Sequence, residues 1–278
     1  MAEGESGAHS LRRAWVEVDL AAIRRNYHRL AGRVAPAKIL AVVKADAYGH
    51  GAVAVARALE AEAGGEGGER LAGFAVATAE EAIELRNAGV EAQILVLSPL
   101  PDEAAPVLMQ HRLVPVISSI ESLQALKAFS KGNGWTAPLH LKFDTGMTRL
   151  GIDAREASSL FELFRSSPEL RLEGVMSHLA EAETPESDSN PQQQGRFLEA
   201  LSFLTEAERR TTIVHLANSA GALHLPSARF DWVRLGIALY GYDSAGRLSA
   251  ELEPVLSVEA EIVQVKSIPP GTRVGYGG

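Results

Sequence analysis

The sequence predicts an α/β fold, a (β/α)8 or TIM-type barrel, followed by the start of a C-terminal β domain. Two observations predict the barrel. About eight short apolar runs alternate with amphipathic, helix-like stretches. The runs are continuously apolar, which is typical of parallel strands covered on both faces. A doubly wound open sheet gives the same alternation, and the count of eight favours the barrel.

The apolar runs are the predicted barrel strands. In chain order they read ILAVVK, GFAVAT, QILVLS, LVPVIS, LHLKFD, LEGVMSH, IVHLAN and WVRLGI. Upstream of them, WVEVDL alternates in polarity like a short strand. Asp19 then stands where an N-cap is expected, before a helix that runs through Ile23, Tyr27 and Leu30.

The stretches between the runs are predicted helices. Their bounds are 52–63, 78–88, 102–110, 120–130, 154–166 and 192–210. Thr78 and Glu81 have the spacing of a capping box. Gly89 has the position of the glycine that commonly follows a helix end. These local signals agree with the alternation of strands and helices.

The chain is predicted to have three parts. Residues 1–10 are acidic and glycine-containing and are expected to be a disordered leader. Residues 11–248 form the predicted barrel. Residues 249–278 alternate with a period near two and read as the beginning of a C-terminal β domain. Because the chain stops inside that pattern, we expect this domain to be incomplete and the protein to be truncated.

Composition excludes several classes of protein. Lys and Arg number 27 against 35 Asp and Glu, a net charge of −8, and no basic stripe predicts nucleic-acid binding. No run approaches the ~18 apolar residues of a membrane span, and the first residues lack the apolar core of a signal peptide. The absence of cysteine excludes thiolate catalysis and fits a reducing, cytoplasmic location. No metal site is predicted.

Polar residues follow the predicted strands where a barrel builds its active site, at the carboxyl ends. They are Lys44, Lys142, Asp144, Arg149, His178, Asn218, Ser219 and Arg234. Each has an ordinary structural explanation taken alone: a lysine reaching solvent, a buried ion pair, a helix cap. Gathered at one rim, so many charged groups need a common ligand.

The residue types at this rim point to pyridoxal 5′-phosphate, PLP. A lysine such as Lys44 in a half-apolar pocket can lose its proton and form a Schiff base with an aldehyde. Ser219 and the backbone at Gly236 and Ile237 follow the seventh and eighth strands, where many barrels bind a phosphate. An arginine such as Arg234 can face a ring nitrogen. These features together match the cofactor.

Five motifs, in this order, resemble the alanine racemase family: AVVKADAYGHG, FDTGMTRLG, SHLA, HLANSAG and VRLGIALYG. The resemblance extends from about Trp15 to Gly278. It implies PLP-dependent interconversion of L-alanine and D-alanine, which supplies D-alanine for cell-wall peptidoglycan. It also implies a homodimer in the full-length protein, with alanine as the substrate.

The resemblance assigns roles to individual residues. The implied cofactor-binding residues are Lys44, Tyr48, His178, Asn218, Ser219, Arg234, Gly236 and Ile237. Lys44 is the covalent anchor of PLP, and Lys44 and Tyr276 are the two bases on opposite faces of Cα. In the family this tyrosine comes from the partner subunit. Arg149 contacts the substrate carboxylate and the phenolic oxygen.

Two further implications concern charge. Lys142 matches a lysine that is carbamylated in some members, where the added negative charge holds Arg149. Arg234 faces the ring nitrogen and cannot give up its proton at working pH, which leaves that nitrogen unprotonated. With an unprotonated ring nitrogen, PLP withdraws electrons less strongly, which suits an enzyme that moves only one proton. Because we expect the β domain to be incomplete, we also expect this chain to bind PLP but to racemise alanine poorly or not at all.

Other functions remain open from the sequence. A racemase of broader substrate range fits the same motifs. An amino-acid decarboxylase is disfavoured, because Arg234 stands where a carboxylate is expected and the chain has no cysteine. A barrel that carries PLP without catalysing a reaction is the third alternative. It would need neither the strand after the barrel nor Tyr276.

Overall fold

Eight parallel strands form a closed barrel in the computed structural model, which describes residues 13–63, 70–248 and 251–277. The barrel strands are β2 (Lys38–Val42), β3 (Leu71–Val76), β4 (Ile94–Val96), β5 (Val114–Ile117), β6 (Ala137–Asp144), β8 (Leu170–Met176), β9 (Ile213–His215) and β10 (Trp232–Leu235). Their order around the barrel is β5-β4-β3-β2-β10-β9-β8-β6, and the pairing of β5 with β6 closes the ring. All eight predicted strands are confirmed.

Helices connect successive strands around the barrel. They are α1 (Leu20–Val34), α3 (Ala52–Ala63), α4 (Ala79–Asn87), α5 (Ala105–Gln110), α6 (Ile120–Asn133), α7 (Ala157–Arg165), α8 (Ser189–Leu201), α9 (Glu206–Thr211) and α10 (Ser219–His224). A further short element, α2 (Lys44–Gly49), follows β2, and a two-residue strand β7 (Ile152–Asp153) pairs with β6. Short 3-10 turns precede α5 and α7.

One predicted helix is wrong in its extent. The stretch 192–210 is two helices, α8 and α9, separated by residues 202–205. Thr205 caps the second helix: its side chain accepts from the Glu208 amide, and the Glu208 carboxylate accepts from the Thr205 amide. This reciprocal capping starts a new helix inside a stretch whose periodicity reads as continuous.

The predicted caps elsewhere are confirmed. Asp19 accepts hydrogen bonds from the backbone of Ala21 and Ala22 at the start of α1, at 2.8 and 3.0 Å. Thr78 and Glu81 form the capping box of α4. Gly89 follows that helix with φ +84°, the left-handed conformation that glycine adopts without steric cost. Local sequence therefore determines where these helices begin and end.

The apolar part of the barrel interior is one cluster of side chains from the strands. Its buried members are Leu40, Val42, Ala75, Leu95, Val114, Val116, Met176 and Trp232. This packing stabilises the barrel by removing apolar surface from water. Polar side chains lie beside this cluster and at the carboxyl ends of the strands, where they form the site described below.

The contacts divide the chain into two units, Asp19–Val255 and a smaller one that contains residues 13–18 and 256–277. In the smaller unit, β1 (Ala14–Val18) pairs antiparallel with β11 (Leu256–Ala260), with Ala14 opposite Ala260. The contacts divide the chain at 18/19 and 255/256, whereas the boundaries predicted from the sequence are at 10/11 and 248/249. The predicted disordered leader lies outside the described residues. None of the described helices is long and apolar enough to cross a bilayer.

Asn26 connects α1 to the last part of the barrel unit. Its amide donates to the carbonyl oxygens of Leu239 and Glu253, at 3.0 and 2.8 Å. Its side-chain oxygen accepts from the Glu253 amide at 2.9 Å. Asn26 is fully buried, so these three backbone groups depend on it for hydrogen bonds.

We expect Asn26→Ala to lower the free energy of unfolding by about 3 kcal/mol, because it leaves buried backbone groups without partners. Urea unfolding followed by circular dichroism measures this change. Asn133→Ala is the matched control. Asn133 is exposed and donates only to the Phe129 carbonyl, so we expect a loss below about 0.5 kcal/mol. Equal losses in the two variants would contradict the assignment.

Candidate active site

A cavity of about 590 Å³ opens at the carboxyl ends of the barrel strands. Ten of the predicted site residues line it: Lys44, Tyr48, Lys142, Arg149, His178, Asn218, Ser219, Arg234, Gly236 and Ile237. The eleventh, Tyr276, lies in the smaller unit and its side chain is fully exposed. The structure thus gathers these ten residues at one cavity, whereas Asp144, which was also expected at this rim, lines a separate cavity.

Lys44 immediately precedes a left-handed turn. It lies two residues after the end of β2, and Ala45, Asp46, Ala47 and Tyr48 all have positive φ, between 51° and 57°. For residues with a Cβ this conformation costs roughly 1–2 kcal/mol each. A run of four such residues therefore stores strain beside the lysine.

Hydrogen bonds from neighbouring elements hold this turn. The Ala45 amide donates to Glu81 Oε1 at 2.7 Å. The Asp46 carboxylate accepts from the Ala52 amide at 2.7 Å. The carbonyl of Asp46 also accepts from the Gly51 amide at 3.0 Å. These contacts fix both ends of the turn and compensate for part of its strain.

The turn brings the Tyr48 phenol over the backbone of Gly236. A Cβ at position 236 would lie 2.5 Å from the Tyr48 hydroxyl oxygen, so only glycine permits this approach. The Tyr48 ring packs against Tyr240, with ring centroids 5.2 Å apart. The Tyr240 hydroxyl in turn donates to the Val42 carbonyl at 3.0 Å. Tyr48 is therefore held at the rim by packing.

Ser219 has a hydroxyl hydrogen available for a ligand. Its oxygen accepts from the amides of Gly236 and Ala238, at 2.9 and 3.3 Å. With the oxygen serving as acceptor, the O–H is directed elsewhere. The Gly236 amide, predicted as a donor to phosphate, is engaged with Ser219 in this structure. Asn218 Oδ1 likewise accepts from the Gly221 amide at 2.9 Å, which caps α10.

Arg234 is a buried cation without a carboxylate partner among its hydrogen bonds. Its Nη1 donates to Nδ1 and the carbonyl of His215, and its Nη2 donates to the carbonyls of Ser177 and Leu216 and to Nδ1 of His178. Burial lowers the pKa of the guanidinium to about 9. Nε–H has no acceptor among the described residues, so it remains free to donate to a ligand.

The cavity carries excess positive charge. Lys44, Lys142, Arg149 and Arg234 line it, against one carboxylate, that of Glu183. Burial, followed by the charge of Arg234, lowers the pKa of the Lys142 amine to about 8. Burial and the same cations hold the pKa of His178 well below its ordinary value. An anionic ligand would relieve this repulsion.

The donor set fits PLP. Tyr48 and Ser219 present hydroxyl groups on one side of the cavity, as a phosphate requires. Lys44 presents an amine for an aldehyde, and Arg234 presents Nε–H for a ring nitrogen. The fold and this site together define a TIM-type barrel protein built for a phosphorylated, aldehyde-bearing cofactor.

Comparisons with known proteins give the family. The family model "Alanine racemase, N-terminal domain" matches residues 18–244. An alanine racemase of Synechocystis sp. is 44% identical over 270 residues, covering 95% of this chain and 70% of that protein. One of Syntrophobacter fumaroxidans is 40% identical over 274 residues, covering 98% and 70%. The chain belongs to the alanine racemase family.

Solved structures agree with this assignment. The alanine racemase of E. faecalis superposes with a TM-score of 0.85 at 34% identity, covering 97% of this chain and 72% of that one. The alanine racemase of Bartonella henselae, described with covalently bound pyridoxal phosphate, superposes with a TM-score of 0.82 at 34% identity, covering 93% and 72%.

Sequence reasoning missed two histidines next to Arg234. His140 and His215 are fully buried in the barrel interior and contact each other. A signal was present, because the period of two along a strand places His140 on the same face of β6 as Lys142. Among the described residues, no group of three or more His, Asp or Glu side chains could hold a metal ion.

We expect Ala45→Gly to raise the free energy of unfolding by about 0.5–1 kcal/mol, because glycine adopts φ near +51° without the Cβ clash. Ala45 is exposed, so no packing is lost. Ala128→Gly in the right-handed helix α6 is the matched control, and it should lower stability by about 1 kcal/mol. Urea unfolding of the PLP-free chain measures both. Destabilisation by Ala45→Gly would contradict the strain assignment.

Proposed function

We propose that this protein interconverts L-alanine and D-alanine with PLP bound at the cavity of the barrel. The observation that carries the proposal is the convergence at one mouth of Lys44 with Arg234, a buried cation that has no hydrogen bond to a carboxylate among the described residues. The family relationship supports the same reaction. A cavity lined by four cations suits a ligand with a phosphate and a carboxylate.

Residues of this chain would hold the cofactor by complementary groups. Lys44 would bind it covalently, and Tyr48 and Ser219 would donate to its phosphate. The ring of His178 would pack against the heterocycle. When bound, PLP links to the substrate amino group and withdraws electrons from Cα, which makes the α-proton acidic.

Arg234 sets how strongly the bound ring withdraws electrons. Its Nε–H would donate a hydrogen bond to the ring nitrogen of PLP, and its guanidinium keeps its proton at neutral pH even with a pKa lowered to about 9. A guanidinium that keeps its proton would leave the ring nitrogen unprotonated and so moderate the electron withdrawal that PLP supplies. A moderate effect favours return of a proton to Cα over competing reactions.

Two bases are needed for racemisation, one on each face of Cα. We assign Lys44 Nζ to one face and Tyr276 Oη to the other. The exposure of Tyr276 fits a side chain that completes the site of a second copy, and we therefore propose a homodimer. Arg149 would bind the substrate carboxylate. The supply of D-alanine for peptidoglycan and a cytoplasmic location belong to the same proposal.

Lys142 is proposed to be carbamylated. It is buried among Lys44, Arg149 and Arg234, where an ammonium group is disfavoured. In carbamylation the neutral amine nitrogen bonds to the carbon of CO2, and one proton is released to solvent. The product carries a negative charge beside Arg149, so it replaces repulsion with attraction.

We expect borohydride reduction of the chain mixed with PLP to leave a pyridoxyl group on Lys44 alone, located by peptide mass spectrometry. Lys44→Ala should abolish specific labelling, whereas Lys131→Arg, an exposed lysine of α6, should leave it unchanged. Labelling scattered over many lysines would contradict the site. The Lys44 amine is the reactive group, so the result does not depend on turnover.

We expect Tyr276→Phe to remove the base on one face of Cα and to leave Lys44 as the base on the other face. In D2O the unaltered chain should exchange the α-hydrogen of both enantiomers and invert them, at a low rate that proton NMR and chiral chromatography measure over long incubation. The variant should exchange one enantiomer without inverting it, because Lys44 still serves one face. Inversion at the parental rate would exclude Tyr276 as a base.

Parallel assays with serine and lysine test the broader substrate range, and PLP binding without exchange would favour the non-catalytic barrel.

We expect ¹³C-bicarbonate to produce a carbamate signal from Lys142 in carbon NMR. A pKa of about 8 leaves roughly a tenth of the amine neutral at pH 7 and half at pH 8, so the signal should form readily at pH 8 and decline with acidification. Lys142→Arg should remove it, and Lys127→Arg should not. A spectrum without the signal at pH 8 would refute the modification.

A further inference from the structure

A pair of buried histidines lies behind Arg234, on the side away from the cavity mouth. Nη1 of Arg234 is 3.2 Å from Nδ1 of His215, and Nε2 of His215 is 2.8 Å from Nδ1 of His140. Both imidazole rings also pack on Trp232, with centroids 5.9 and 5.7 Å away. The three polar side chains form one chain of hydrogen bonds through the barrel interior.

A glycine on the intervening strand makes the contact between His140 and His215 possible. His140 lies on β6 and His215 on β9, and β8 runs between them. Gly174 of β8 pairs directly with His140. A Cβ at position 174 would lie 2.3 Å from Nδ1 of His140, so any other residue would push the ring away from His215. Glycine here lets two side chains meet across an intervening strand.

The positions of the protons follow from Arg234. A guanidinium only donates, so Nδ1 of His215 must accept, and the proton of that ring is on Nε2. His215 then donates to Nδ1 of His140, which places the second proton on Nε2 of His140. Burial, followed by the charge of Arg234, lowers the pKa of His140 to about 3, and burial holds that of His215 well below its ordinary value. Both rings are neutral at pH 7.

The chain of hydrogen bonds ends on an unpartnered group. Nε2 of His140 is buried and has no hydrogen-bond partner among the described residues. A buried N–H without an acceptor costs stability, and an apolar residue of similar size would avoid that cost. A group retained at such a cost calls for a role beyond packing.

We propose that His140 is a positioning residue for Arg234, which it holds by fixing the tautomer of His215. Because Arg234 is assigned to the ring nitrogen of PLP, the effect on the cofactor rests on the proposed function. Without the acceptor on His140, the Nε2–H tautomer of His215 would have an unpartnered proton. The alternative tautomer would turn a donor toward Arg234 and displace the guanidinium from its place between His215 and His178.

The first test reads the tautomers in the PLP-free chain. Long-range ¹H–¹⁵N spectra of the chain labelled in its eight histidines distinguish Nδ1–H from Nε2–H rings. We expect His140 and His215 to be neutral and protonated on Nε2. A proton on Nδ1 of either ring would overturn the proposal. This measurement is independent of PLP binding, so it separates failure of this inference from failure of the proposed function.

The second test changes His140. His140→Leu removes the acceptor for Nε2 of His215, so His215 is no longer held in the tautomer that accepts from Arg234. The urea unfolding midpoint shows whether the variant still folds. The guanidinium signals of ¹⁵N-labelled Arg234 should shift, and PLP should bind about tenfold more weakly, as expected for the loss of one hydrogen bond. His140→Gln keeps an acceptor for His215 and should restore most of the affinity.

The control is His111→Leu, outside the barrel interior, which should leave PLP binding unchanged. Parental PLP affinity and unshifted Arg234 signals in His140→Leu would overturn the proposal. Failure of His140→Gln to restore either property would do the same. Should His140→Leu fail to fold, the tautomers of the unaltered chain decide the question.

Discussion

Closure of the barrel by the pairing of β5 with β6 is the constraint on which the rest of this structure depends. Val116 pairs with His140 and Ile117 with Leu141, and this contact turns an open sheet into a ring. Because all eight strands are parallel, closure brings their carboxyl ends to one mouth. Lys44 and Gly236, far apart along the chain, therefore line the same cavity.

The closed mouth concentrates charge that the protein alone does not balance. Carbonyl and imidazole groups solvate Arg234 in place of a carboxylate, and Lys142 is buried among cations. Burial of unbalanced charge is costly, so the free site already favours a ligand that carries negative charge. Burial, followed by the charge of Arg234, lowers the pKa of Lys142, and the surrounding cations would stabilise a negatively charged carbamate there. The proposed cofactor binding and the proposed modification of Lys142 thus both depend on the excess of positive charge at this cavity.

The site also contains two features that lower the stability of the fold, and packing in the rest of the barrel compensates for them. The left-handed turn from Ala45 to Tyr48 is strained, and the buried Nε2 of His140 has no partner among the described residues. Each of these features is linked to a group assigned to cofactor binding: the turn lies beside Lys44, and His140 is connected to Arg234 through His215. Departures from local preference are expected at functional positions, because geometry there is selected for chemistry. The apolar cluster of the barrel interior supplies the stability that tolerates them.

The sequence by itself determined the eight strands, the caps of α1 and α4 and the set of polar residues at the strand ends, because these depend on periodicity and on hydrogen bonds within a few residues. It also carried the motifs of the family. Only the tertiary structure decided that Ser219 engages the Gly236 amide, that β1 pairs with β11 and that His140 reaches His215 past Gly174. The break within 202–205 has a local signal, the capping box of Thr205 and Glu208, which sequence reasoning missed. The left-handed turn after Lys44 emerged only in the tertiary structure. The features that only the tertiary structure decided depend on which strands are neighbours and on the space between them. A pattern along the chain specifies neither.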